Sequence, residues 1–95
     1  MKAIIAKMNI QPGKEADFEK VALELAGQVA ANEPGNQLYK LCKTADGEYY
    51  FLELYDSDDA VAAHRSAPHM AEAGPKFAGI MGGRPELTIL DVLGD

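Results

Sequence analysis

Residues 51–70 read FLELYDSDDAVAAHRSAPHM, and this stretch decides the fold. Its first five residues alternate as a strand does, with Phe51, Glu53 and Tyr55 on one face and Leu52 and Leu54 on the other. The strand then gives way to a helix. Ser57 is a suitable N-cap, and Asp58 and Asp59 favour the dipole of a helix over 57–65. Ala60, Val61 and His64 fall on one helical face. Ser66-Ala67-Pro68 breaks that helix, and Pro68 is suited to be the first residue of another. A carboxylate, a phenol and both histidines of the chain, His64 and His69, therefore lie close together in sequence.

Working outward, the strand begins near 48, and Ala45-Asp46-Gly47 reads as a hairpin turn joining it to a strand over 36–44. Before that, Phe18, Val21, Ala22, Leu25, Ala26 and Val29 recur at helical spacing over 14–32. Glu15, Asp17 and Glu19 suit the start of this helix. Glu33-Pro34-Gly35 ends it, and Glu33 reads as an exposed turn residue. Residues 2–10 alternate as an opening strand. On the C-terminal side, 68–81 carries Met70, Ala73, Gly74, Phe77 and Met81 on one stripe, with a kink or split expected at Gly74-Pro75. Residues 85–92 read as the last strand.

The order is β-α-β-β-α-β, with the second helix in two pieces. It predicts an α+β, ferredoxin-like domain over 1–95, an antiparallel sheet with helices on one face. The strands are apolar on both faces, however. A sheet face left bare in so small a domain predicts a second copy, paired sheet to sheet. A chain of 95 residues buries roughly 60–65% of its unfolded surface, so its own core is thin.

Composition excludes several functions. A net charge of −6 and a pI near 4.8 argue against nucleic acid, which needs a basic patch. No apolar run is long enough to span a membrane, and the apolar run near Met1 is too short for a signal-peptide core, which predicts a cytoplasmic protein. The single cysteine, Cys42, excludes an intrachain disulfide and reads as a small apolar filler in a strand. His64 and His69 are five residues apart, with Pro68 between them, which is not the spacing of a helical metal-ligand pair. No third ligand is obvious, although Glu72 lies three residues after His69, so no metal is expected. Gly79 and Gly82-Gly83 stand at the end of a helix, the wrong context for a phosphate loop.

Four features together resemble the antibiotic biosynthesis monooxygenase domain family. An opening strand runs into Pro12-Gly13-Lys14 and a helix. Glu33-Pro34-Gly35-Asn36 leads into Leu38-Tyr39-Lys40-Leu41. Glu53-Leu54-Tyr55 is followed by Asp59-Ala60 and His64, and Ser66-Ala67-Pro68-His69 opens the next helix. The resemblance implies a dimeric α/β barrel with a pocket between sheet and helices in each subunit. It also implies oxidation of quinols or phenolic polyketides by O2 without metal or flavin. A related branch degrades haem with a tryptophan, an asparagine and a histidine, and this chain departs from it in having no tryptophan.

For such an oxygenase, a histidine is the natural base near neutral pH, which makes His64 and His69 the candidates. Tyr55 and Tyr39 can hydrogen-bond a ring oxygen, and Glu53 can orient or stabilise a charged histidine. Phe51, Met70, Phe77 and Met81 can line an apolar pocket. The expected partners are a small aromatic or quinol-like substrate, O2 and a second copy of the chain. Two other functions fit the same fold: small-molecule binding or stress response without catalysis, and an isomerase or lyase with a histidine base.

Overall fold

The computed structural model describes residues 1–94. Its elements are β1 (Lys2–Met8), α1 (Glu15–Asn32), β2 (Asn36–Lys43), β3 (Tyr49–Tyr55), α2 (Asp58–Ser66), α3 (Pro68–Phe77) and β4 (Glu86–Asp91). The strands form one antiparallel sheet in the order β2-β3-β1-β4, the ferredoxin-like arrangement. No helix among the described residues is long and apolar enough to cross a membrane.

Alternation along the strands separates two faces. Ile4 and Ala6 of β1, Tyr39 of β2, and Tyr49, Phe51, Glu53 and Tyr55 of β3 are buried on the face toward the helices. There α1 contributes Phe18, Ala22, Leu25 and Val29, the stripe its spacing predicts. The opposite face carries Ile5 beside Leu52, and Leu54 between Ala3 and Leu38. Ile5 and Leu52 are each 37% exposed, and Leu38 and Leu90 are exposed as well. No helix among the described residues covers that face. Among the described residues β4 pairs only with β1, and all six of its residues are exposed.

Among the boundaries that differ from the sequence reading, three do so for a clear local reason. β1 stops at Met8, and Ile10 forms an isolated bridge with Met81 instead of extending the strand. Gln11 N–H to Ile80 O and Gly82 N–H to Asn9 O, both 2.8 Å, fasten the chain after α3 to that point. α3 ends at Phe77 and holds Pro75 in its last turn. The helix stops within three residues of the proline, so no second helical segment follows. β4 starts after Pro85 because a proline has no N–H for the ladder.

Two connections bring the buried polar side chains together. Glu33 caps the C-terminus of α1 through its N–H to Val29 O, and its own carbonyl accepts from Asn36 N–H, turning the chain into β2. Ala67 takes an extended conformation (ψ 143°) between α2 and α3, as a residue before proline prefers. The corner sets the last turn of α2 against the first turn of α3. α2 approaches the Glu33 turn closely at Gly35, where an added Cβ would stand 2.6 Å from Ala60 Cβ.

Gly35→Ala therefore forces α2 away from the turn. Overpacking of this kind costs about 1–3 kcal/mol, and thermal melts should show a midpoint lower by about 4 °C or more. An unchanged midpoint would mean that the approach is not tight in solution.

Glu53 points from the middle of β3 into the covered face. Burial raises its pKa above 4.5, with Glu33 adding to the rise, while the Tyr55 hydrogen bond, His64 and Arg65 oppose it. Between the unfolded and the raised native value, the folded chain holds a proton that the unfolded chain has released. Stability should thus fall as pH rises from about 4.5 through the native value. Glu53→Gln should flatten that descent in denaturant unfolding at several pH values. Parallel curves for both proteins would refute it.

Candidate functional site

The residues singled out in the sequence converge on the covered face of the sheet. Between sheet and helices lies a cavity of about 350 Å³. Phe51, Met70, Phe77 and Met81 line its apolar wall, together with Met8 and Leu87. Tyr39, Glu53 and His64 close one end, with Arg65 beside them. A larger, shallower groove of about 730 Å³ runs over Lys7, Asn9, Glu15 and Glu48, but neither histidine reaches it.

The polar end is tightly packed. The Tyr39 ring stacks on Phe51 with centroids 4.6 Å apart, and the His64 ring lies 5.3 Å from each of the Tyr39 and Tyr55 rings. Tyr55 is fully buried and donates its hydroxyl to Glu53 Oε1 at 2.6 Å. Burial, followed by the Glu53 and Glu33 charges, pushes the Tyr39 phenol above its usual range. Tyr55 shifts the same way, through burial and then its bond to Glu53. Both phenols are thereby held as O–H donors rather than bases. Tyr55 touches Glu53 and the His64 ring but does not line the cavity.

The two histidines occupy different places. His64, in the last turn of α2, faces the cavity, and its Nε2 is 4.0 Å from Glu53 Oε1. His69, in the first turn of α3, is also buried but does not line the cavity. It borders an outer cleft of about 610 Å³, along with Glu33, Asn32, Ser66 and Glu72.

What joins the histidines is Glu33, the residue whose role the sequence did not disclose. Its carboxylate accepts from His64 Nδ1 at 2.9 and 3.0 Å and from His69 Nε2. Its side chain is only 8% exposed, although its backbone lies at a surface turn. The expectation of an exposed turn residue is corrected here: the side chain folds inward to two N–H donors. One sequence signal was available. Glu33 puts a negative charge at the negative end of α1, whose last turn holds no basic residue, and such a charge needs compensation.

Glu33, His64 and His69 also bring one ligand atom each to within 4.8 Å of one another. The third ligand that sequence spacing did not reveal is thus present in space. A divalent ion would have to displace the protons by which the two rings now bond the carboxylate.

The family model for antibiotic biosynthesis monooxygenase matches residues 1–76 of the chain. A structure from Caulobacter crescentus CB15, described as a candidate antibiotic biosynthesis monooxygenase, is 39% identical, with a TM-score of 0.92 over 98% of this chain and 90% of that one. A counterpart from Nitrosomonas europaea has 22% identity and a TM-score of 0.90, over 99% of this chain and all of that one (100%). Rv0793 from Mycobacterium tuberculosis has 24% identity and a TM-score of 0.87, over 99% and 96% of the two chains. At those identities the last two speak for the fold alone. No curated protein matches the chain. The family match over most of the sequence, and the Caulobacter relative along nearly all of it, establish that this chain belongs to the antibiotic biosynthesis monooxygenase family.

Proposed function

We propose that the protein is a monooxygenase that oxidises a small phenolic or quinol-like compound with O2, in a homodimer joined sheet to sheet. The observation that carries this reading is the apolar cavity whose polar end combines Tyr39, Glu53 and His64. Family membership supports the reaction class. An aromatic ring fits the wall of Phe51, Met70, Phe77 and Met81, and its hydroxyl fits the polar end.

The chemistry balances with substrate, O2 and the protein alone. His64 takes the phenolic proton, and the O–H electron pair stays on oxygen as phenolate. The phenolate gives one electron to O2, and the resulting radical and superoxide combine at a ring carbon. The peroxide takes the proton back from His64. Loss of the hydrogen on that carbon as a proton then breaks the O–O bond. One ring C–H has become C=O, the phenol has become C=O, and both hydrogens leave with one oxygen atom as water. The Tyr39 hydroxyl acts as a donor toward oxygen atoms that carry charge along this path.

Oxygen consumption with a panel of phenols and hydroquinones tests the reaction. Enzyme-dependent uptake should fall about 10²-fold or more in His64→Ala. If no substrate in the panel drives uptake, the oxygenase reading gives way to a binding role or to histidine-base chemistry without O2.

The dimer is supported by the bare face, where Ile5, Leu38, Leu52 and Leu90 stand exposed on one side of the sheet. Sedimentation at micromolar concentration should give twice the 10.2 kDa chain mass. Leu52→Glu should halve the mass, and a wild-type mass of one chain would reject the dimer.

A further inference from the structure

We infer that Glu33 is the positioning residue that makes His64, and not His69, the base of this site, by holding His64 in the form that keeps its proton on Nδ1. The inference rests on the reading that substrate reacts in the cavity between sheet and helices.

A carboxylate can only accept hydrogen bonds. With Glu33 oxygens at 2.9 and 3.0 Å, His64 Nδ1 must carry a hydrogen. In the neutral ring this leaves the lone pair on Nε2, the nitrogen on the Glu53 side. Glu53 stands 4.0 Å away, beyond hydrogen-bond reach, and its Oε1 is engaged by Tyr55. Glu53 therefore does not orient His64, as its place in the sequence suggested. Nε2 is left facing the cavity, free to take a proton from a bound hydroxyl.

His69 is committed differently. Its Nε2 bonds the same Glu33 carboxylate, and the ring borders the outer cleft rather than the cavity. It also holds Glu33 in place. The helices separate the two rings further. His64 lies in the last turn of α2, where the dipole favours a cation. His69 lies in the first turn of α3, where it opposes one. The groups facing His64 are Glu33 from the α1–β2 turn, Tyr39 from β2, Glu53 and Tyr55 from β3, and Arg65 beside it on α2. Glu33 alone among them meets a ring nitrogen at hydrogen-bond distance.

In the step itself, the substrate O–H breaks and an Nε2–H bond forms. The imidazolium charge is then held between Glu33 and the end of α2. Nothing leaves the ring until the proton returns to the peroxide.

Long-range nitrogen–proton NMR of the substrate-free protein tests this without turnover, with ring signals assigned through His64→Gln and His69→Gln. His64 should be found with hydrogen on Nδ1 and none on Nε2 once neutral. Glu33→Met, whose thioether is at most a weak acceptor, should abolish that preference. Where the oxygenase reaction is measurable, Glu33→Met should lower kcat about 10²-fold or more with KM changed less than about threefold, as loss of base function does. Glu33→Asp should recover part of it, and His69→Gln, whose amide can still donate to Glu33, should keep the Nδ1–H form of His64. Hydrogen on Nε2 of neutral His64 would overturn the inference. So would a His69→Gln loss as large as that of His64→Gln. Because the wild-type NMR result stands without any substrate, failure of the oxygenase reading and failure of this inference are separately visible.

Discussion

The structure depends on a carboxylate shared by two imidazoles. Glu33 ends α1, begins the turn into β2, and binds the last turn of α2 and the first turn of α3 through His64 and His69. One buried anion thus ties three helices to the end of a strand. Removing a partner from such a cluster leaves a buried polar group unsatisfied, at about 1–3 kcal/mol each, a large share of what a domain this small can hold. The described residues leave no buried side-chain nitrogen or oxygen without a hydrogen bond. The fully buried polar atoms of the cluster are therefore satisfied within the chain, while His64 Nε2, beyond hydrogen-bond reach of Glu53, is left without a partner.

The cluster also divides the core. One apolar group gathers around Phe18, Val29, Phe51 and Ile80, and a smaller one around Ile4, Tyr55 and Val61. Tyr39 stacks on Phe51 in the larger group, and Tyr55 anchors the smaller. Both rings pack against His64 between them. The aromatic rings thus fill the volume around the charged groups while their hydroxyls supply donors. In a 95-residue chain, space given to polar groups is lost to apolar burial. The sheet's other face offers the compensation: its leucines and Ile5 are available to a second copy.

Much of this was legible in the chain, because strand alternation is a rigid rule. β3 put Glu53 and Tyr55 on one face with Phe51, and the structure shows that face under the helices. Alternation alone could not say whether it met helices or a partner, since both faces of β3 are apolar. Phe51, Met70, Phe77 and Met81, expected to line an apolar pocket, border the cavity, and so does Tyr39. They share it because helical and strand periods aim them at a common interior. Glu33 was read as exposed because a Glu-Pro-Gly turn ordinarily faces water. Its fate depended on where two histidines, about thirty residues later in sequence, would arrive, and turn chemistry does not carry that information. Spacing likewise treated His64 and His69 as unrelated, because Pro68 separates their helices. The extended Ala67 corner brings them together again in space.

Glu33 also shows what kind of signal such a residue leaves. Local preferences along this chain agree with one another almost everywhere: acids begin α1 and α2, Ser57 caps α2 with its oxygen on Ala60 N–H, and Pro68 opens α3. At the end of α1 the agreement fails. A glutamate sits where the dipole favours a base, without a lysine or arginine in the last turn to offset it. A local rule broken without a local remedy implies a remote one. The remedy here is two imidazole N–H groups from other helices. Both rings donate to the same carboxylate, His64 to both oxygens and His69 to Oε2, yet they border different spaces. His64 turns its free nitrogen toward an apolar cavity, while His69 belongs to the side open to water. A single uncompensated charge at a helix end is thereby enough to make two chemically identical side chains unequal.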